Sequence, residues 1–203
     1  MPPQDPKLLK QLNRKSMLEL RNNQPYEVIL EKSEKIRANL MHMNEYKTAK
    51  VIMLYSGKGN EVQTETLIRA ALKEKRVVLP ITNKEKHILE LSEIKDYDYE
   101  LEISTFNVLE PKNEFIRPIN IDILDLIVVP GVSFDYKGNR LGYGFAYFDK
   151  LLAMVRRPIP FIGLAFQFQM QGTIPKSQKD IPVHFIVTEE RIIHCRDYRK
   201  KRY

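Results

Sequence analysis

Apolar residues along this chain recur with two rhythms, one helical and one confined to short runs. From Lys7 to Arg21 there is no Gly or Pro, and Leu8, Leu9, Leu12 and Leu20 supply an apolar side for a first helix. Pro25 suits a first helical turn. After it Ile29, Ser33, Ile36, Leu40 and Met43 recur at helical spacing, which predicts a second helix. A β-rich run, Val51 to Tyr55, precedes a glycine-marked loop from Ser56 to Glu61. Thr64 to Lys75 reads as a helix and Val77 to Pro80 as a strand. His87 to Ile94 partly alternates and is read as a strand, whereas Leu101 to Asn120, with Pro111 and Pro118, reads as extended loop. Leu124 to Val129 is a buried strand and Tyr147 to Val155 an amphipathic helix. Phe161 to Phe166 and Phe185 to Val187 are further strands. Short apolar runs alternating with helices predict an α/β fold, a three-layer α/β/α arrangement with a mainly parallel central sheet and an N-terminal helical pair. Residues 1–203 read as a single domain.

The strand ending at Val129 runs into Pro130-Gly131 and a loop rich in glycine and charge, then into the helix from Tyr147. Strand, glycine loop and helix together present backbone N–H groups and a helix N-terminus to an anion. Arg140 adds a fork suited to phosphate oxygens, and Asp149 a hard oxygen ligand suited to Mg²⁺. Loops at the carboxyl ends of parallel strands are the expected ligand sites. Lys10, Arg14 and Arg21 fall within about 40° of one another around the first helix. Such a stripe can reach over a neighbouring loop and hold a polyphosphate, and a solvated basic face is the plainer reading of the same spacing. The loop matches neither nucleotide fingerprint. It lacks Gly-x-x-x-x-Gly-Lys-Ser/Thr, and Gly142-x-Gly144-x-Ala146 is one residue short of the dinucleotide spacing. On the residues alone, an anion site and a tight strand–helix connection both stand.

Composition narrows the classes. A chain that is 43% hydrophobic and 29% charged is globular rather than disordered. Cys195 alone makes no internal disulfide, which suits a reducing cytosol and leaves no Cys cluster for zinc. No apolar run approaches the roughly 20 residues of a membrane span, and Met-Pro-Pro-Gln-Asp-Pro is not a signal peptide. A cytoplasmic protein with no membrane partner is expected. The net charge of +7 would attract an anionic substrate or nucleic acid. Much of that excess sits at Arg196, Arg199, Lys200, Lys201 and Arg202, and no basic-aromatic RNA signature accompanies it, which argues against a nucleic-acid partner. No Ser-His-Asp or Cys-His arrangement stands out, and Cys195, beside the basic tail, is a poor nucleophile candidate.

The segment Pro130-Gly131-Val132-Ser133-Phe134-Asp135, Gly138-Asn139-Arg140-Leu141-Gly142-Tyr143-Gly144, then Tyr147-Phe148-Asp149 closely resembles the signature of the 5-formyltetrahydrofolate cyclo-ligases. Lys10-x-x-x-Arg14, Glu61-x-x-Thr64, Ile174-Pro175, Asp180-Ile181-Pro182-Val183 and Val187-Thr188-Glu189 fall in the family's order, so the resemblance covers nearly the whole chain. It implies ATP as co-substrate, Mg²⁺, a reduced folate or other pterin as substrate, and a monomer. Position by position, Lys10 and Arg14 match residues that contact the ATP phosphates, and Arg140, Leu141, Gly142, Tyr143 and Gly144 match the nucleotide loop. Tyr143 and Tyr147 match the boundary between ATP and folate, with Arg140 and Tyr147 in the catalytic positions. Ser56 and Glu61 match substrate contacts, and Asp149 and Asp180 match acids associated with Mg²⁺.

The reaction so implied has the N5-formyl oxygen attack the γ-phosphoryl group of ATP, after which N10 traps the activated carbon and phosphate leaves. The chain departs from the family pattern at Phe145, Ala146 and Phe148, where small glycines and a second tyrosine are usual, and at Lys179 and His184. Ala146 fits without strain only at negative φ, and Phe145 places a ring where backbone would approach phosphate. These departures leave open a non-catalytic ATP- or folate-binding relative, and a related ligase acting on another pterin.

Overall fold

The computed structural model of the chain describes residues 5–195, Pro6 and Thr105 by backbone alone. The basic cluster Arg196, Arg199, Lys200, Lys201 and Arg202 lies outside the described residues. The helices are α1 (Pro6–Asn22), α2 (Tyr26–His42), α3 (Asn44–Thr48), α4 (Glu65–Leu72), α5 (Tyr97–Glu100) and α6 (Tyr147–Ala153). The strands are β1 (Val51–Met53), β2 (Arg76–Asn83), β3 (Ile88–Ile94), β4 (Leu101–Ile103), β5 (Leu109–Pro111) and β6 (Leu126–Val129). They continue with β7 (Ser133–Asp135), β8 (Arg140–Leu141), β9 (Phe161–Leu164), β10 (Met170–Gln171), β11 (Phe185–Val187) and β12 (Ile192–His194).

Seven strands form the central sheet in the order β12-β11-β9-β6-β1-β2-β3. The inner pairings β11–β9, β9–β6, β6–β1 and β1–β2 are parallel, and the edges β3 and β12 join antiparallel. Successive side chains alternate between the two faces. Ile52, Val77, Leu126, Val128 and Ile162 pack with Ile29, Ile36 and Leu40 of α2 and Leu67 and Ile68 of α4. Met53, Val78, Ile127, Val129 and Ile186 pack on the other side with Leu151 and Leu152 of α6 and with Phe134. Each fully buried side chain of this size contributes about 1.5–3 kcal/mol. The mainly parallel α/β/α layering expected from the sequence is the observed one.

Three local expectations give way. The span 101–120 is not continuous loop, because β4 and β5 pair within it as an antiparallel hairpin. The strands are three residues each, and Pro111 ends β5, so they leave no alternating run to read. Within the glycine loop lies a second hairpin, β7 with β8, joined by β10 in a small three-stranded sheet. Buried Asp135 builds its turn, with Oδ1 accepting from the Lys137 and Asn139 amides at 2.9 and 3.0 Å and Oδ2 from Asn139 Nδ2 at 2.8 Å. The third correction concerns α1. Its start is set by Asp5, whose side chain accepts from Lys7 N, and by proline in the first turn. Leu8, Leu12 and Leu20, expected to pack, are exposed. Met17 and Arg21 are buried instead, because α1 lies across the glycine loop with its basic stripe inward while α2 covers the sheet.

Candidate functional site

From β1 the sheet grows toward β2 on one side and toward β6, β9 and β11 on the other, so the strand order reverses between β1 and β6. A crevice at the carboxyl ends of the strands is expected at such a switch point. A cleft of about 170 Å³ lies there. Its walls come from Tyr55 and Ser56 after β1, Thr82 in β2, Glu110 in β5, Pro130 and Gly131 after β6, Arg140 in β8, and residues 142–143 and 145–149. Gly131 permits this path: a Cβ there would stand 2.4 Å from the Phe134 ring.

Two side chains from opposite ends of the glycine loop meet in the cleft. Arg140 Nη2 donates to Asp149 Oδ1 at 3.0 Å, and Arg140 Nη1 to the Pro130 carbonyl at 3.3 Å. Burial pushes the Arg140 guanidinium down from its ordinary value, and the Asp149 carboxylate opposes that. Among the described residues Arg140 Nε takes no hydrogen-bond partner. Its position on a strand, rather than in a free loop, fixes the fork.

The basic stripe of α1 reaches the loop as the angular argument anticipated. Arg14 Nε donates to the Gly142 carbonyl at 2.8 Å, and its guanidinium stands 3.5–3.9 Å from where a Gly144 Cβ would be. Gly144 itself sits at φ 109°, open only to glycine. Arg21 Nη2 donates to the Tyr143 hydroxyl at 2.6 Å, and Tyr143 donates in turn to Glu61 Oε1. Glu61 Oε2 accepts from the Lys58 amide at 3.0 Å, so both oxygens of this carboxylate are engaged. Burial, followed by the charge of Glu61, raises the Tyr143 phenol and keeps it protonated. Lys10 Nζ donates to Asp180 Oδ2 at 2.6 Å, and Ser177 donates to Oδ2 through its amide and to Oδ1 through its hydroxyl.

The residues named from the sequence therefore divide. Ser56, Glu61, Arg140, Gly142, Tyr143, Tyr147 and Asp149 line the cleft. Lys10, Arg14, Gly144 and Asp180 are gathered behind the glycine loop, and Leu141 is buried in β8 with its carbonyl accepting from Val132 N. Tyr147 opens α6 and stands near Phe106 and Phe145, ring centroids 6.1 and 6.2 Å away, with no hydrogen bond to its hydroxyl among the described residues. Ala146 adopts the left-handed conformation, φ 56° and ψ 19°, so the strained alternative holds at this position. Phe145 does not plug the corner. Its ring is exposed and forms part of the rim.

Sequence reasoning missed Lys58, Thr82, Phe106 and Glu110, all lining the cleft. Phe106 and Glu110 lie in the span read as loop, and nothing in their spacing marks them. Cys195 is no nucleophile, because burial and then the charge of Asp135 push its thiol up to about 12.

Among the described residues, no three His, Cys, Asp or Glu side chains gather as metal ligands. Asp149 uses Oδ1 for Arg140 and the Ile181 amide, leaving Oδ2 without a hydrogen bond at the cleft. That fits a cation held mostly by phosphate oxygens and water through one carboxylate. Asp180 is more fully engaged, with Lys10 and the Ser177 amide on Oδ2 and the Ser177 hydroxyl on Oδ1.

A mainly parallel sheet with a cleft, a glycine loop held by arginines and an acidic residue at its switch point defines a doubly wound α/β protein with its candidate ligand site at the carboxyl ends of the strands. The 5-formyltetrahydrofolate cyclo-ligase family model matches residues 6–189. A 5-formyltetrahydrofolate cyclo-ligase of Haemophilus influenzae is 31% identical over 187 residues, covering 82% of this chain and 98% of that protein. The solved structure of Aquifex aeolicus 5,10-methenyltetrahydrofolate synthetase superposes with a TM-score of 0.82 at 34% identity, covering 96% of this chain and 97% of that one. A 5,10-methenyltetrahydrofolate synthetase from Mycoplasma pneumoniae, 20% identical and with a TM-score of 0.71, shares the fold over 89% of this chain and 98% of its own. The chain belongs to the 5-formyltetrahydrofolate cyclo-ligase family. No helix among the described residues is long and apolar enough to cross a membrane.

Proposed function

We propose that this protein closes a 5-formyl reduced folate to the 5,10-methenyl form with conversion of ATP to ADP and phosphate. The observation that carries the reading is the Arg140–Asp149 pair in the cleft, backed by a glycine loop that α1 grips with Arg14 and Arg21. A formyl amide oxygen is a weak nucleophile and oxide a poor leaving group. Attack of that oxygen on the γ-phosphorus, with departure of ADP, turns it into a phosphate ester. The N10 lone pair then adds to the formyl carbon, the N10 proton is lost, and the C–O bond breaks to release inorganic phosphate. No enzyme nucleophile is needed, in keeping with the protonated Cys195.

The protein's own work is placement and charge neutralisation. Arg140, fixed by Asp149 and the Pro130 carbonyl, points positive charge at the transferred group. Arg14 and Lys10 support the far side of the loop. Asp149 Oδ2 is the oxygen that would hold Mg²⁺, with Asp180, already paired with Lys10, as the second carboxylate. When bound, the ion supplies neutralisation of phosphate charge. Ser56, Glu61, Tyr143 and Tyr147 face the folate, and the Arg21–Tyr143–Glu61 chain keeps the Tyr143 ring at a fixed angle. The test mixes purified protein with 5-formyltetrahydrofolate, ATP and Mg²⁺ and follows methenyl absorbance. A rise that needs ATP supports the reading. Flat traces with ATP binding retained would instead identify a non-catalytic nucleotide-binding relative.

A further inference from the structure

Among the described residues three carboxylates line the cleft, Glu61, Asp149 and Glu110, and of these Glu110 has neither an ion-pair partner nor a hydrogen bond on its second oxygen. Glu61 has both oxygens occupied, by Tyr143 and the Lys58 amide. Asp149 is paired with Arg140. Glu110 is 4% exposed, and its Oε1 accepts from Thr82 N at 3.0 Å and Thr82 Oγ1 at 2.7 Å. Among the described residues its Oε2 takes no hydrogen bond, and the residue lines the cleft, so this oxygen is left for the cleft. The same wall carries Pro80, Leu89 and Leu109, which offer no donor. A carboxylate oxygen held nine-tenths out of water needs hydrogen-bond donors from something that enters.

We infer that Glu110 is a specificity residue whose Oε2 accepts from the exocyclic amino group of the substrate's 2-amino-4-oxopyrimidine ring. This rests on the folate reading above. An ionised carboxylate is acceptor-only. The 2-amino-4-oxopyrimidine edge offers adjacent donors, the amino group and the neighbouring ring N–H. The adenine edge alternates donor and acceptor and sets a ring nitrogen lone pair against the carboxylate. The two heterocycles competing for this cleft are thereby told apart. The Thr82 bonds, from amide and hydroxyl together, fix the direction in which Oε2 faces.

The experiment compares turnover of 5-formyltetrahydrofolate with that of its 2-desamino analogue by wild-type protein and by Glu110→Gln. A lost hydrogen bond to a charged group corresponds to about a 10- to 100-fold preference in kcat/KM for the amino substrate in wild type. Glu110→Gln should erase that preference while leaving the ATP KM and the melting temperature close to wild type. Equal use of both pterins by wild type, or a preference that survives in Glu110→Gln, overturns the assignment. So does a change in the ATP KM in its place, which would put adenine against Glu110. The wild-type arm needs no variant and decides even if Glu110→Gln fails to fold. If wild type turns over neither pterin, the catalytic reading fails separately, and equilibrium binding of the two pterins still decides the role of Glu110.

Discussion

The two sides of the cleft are built by different physics. On the α1 side, charge is assembled across long stretches of chain: Lys10 with Asp180, Arg14 with the Gly142 carbonyl, Arg21 with Tyr143. Most of these cations are already engaged, so the glycine loop is held in shape before any ligand arrives. On the β2–β5 side the wall is apolar and aromatic, with Phe106, Leu89 and Leu109 around the lone carboxylate of Glu110. A preorganised cationic shelf suits a polyanion whose charge grows during reaction. An apolar slot with one acceptor suits a flat heterocycle that must be oriented. On the proposed function, the contrast means that the two substrates would be recognised separately and would meet at Arg140, Tyr143, Tyr147 and Asp149.

The largest break should come where the two sides join. Arg140→Ala removes the guanidinium facing the transferred group, and kcat is expected to fall about 10²- to 10³-fold, measured by the methenyl absorbance assay. A variant within threefold of wild type would detach the pair from the chemistry. Next in size, Arg14→Ala should raise the KM for ATP about tenfold with little change for the folate, as loss of one hydrogen bond to a charged group implies. Phe106→Ala should do the reverse, raising the folate KM several-fold, since an aromatic contact contributes about 0.5–1.5 kcal/mol. If both substitutions move the same KM, the division between the sides does not exist.

Smaller effects sharpen the picture. Ala146→Gly relieves a left-handed alanine and is expected to stabilise the fold by about 1 kcal/mol, read as a melting temperature about 2–4 °C higher. A lower melting temperature would mean that the alanine methyl packs usefully at the rim. The weakest signal concerns acid. Burial pushes the Asp180 carboxyl up, but hydrogen bonds from Lys10 and Ser177 outweigh it and hold it below its ordinary value of 3.8. A lowered folded value means the pairing favours the folded state above pH 3.8 and loses that contribution as pH falls through the folded value. The stability difference between wild type and Lys10→Met should therefore shrink below pH 3.8. A gap that widens on acidification would show the pairing to be unimportant.

What the sequence disclosed follows from how locally each feature is encoded. The α2 stripe was legible because Ile29, Ser33, Ile36 and Leu40 all face one buried layer. The leucines of α1 misled for the converse reason: that helix docks on a polar loop through Arg14 and Arg21, so Leu8, Leu12 and Leu20 face outward. The motif around Arg140 and Asp149 located the cleft, because its residues are nine positions apart and meet across one turn of structure. Glu110 escaped notice, since its neighbours in space come from β2, 28 residues earlier, and its strand is three residues long. The partner of Asp180 is 170 residues away in sequence, so spacing could suggest an acid there without revealing that Lys10 already holds it.

The most direct measurement follows one atom. With ¹⁸O in the N5-formyl group and wild-type protein, ATP and Mg²⁺, a cleft that sets this oxygen on the γ-phosphorus must deliver the label to inorganic phosphate, one atom per methenyl group formed. Label recovered in water or formate, with unlabelled phosphate, would contradict the account.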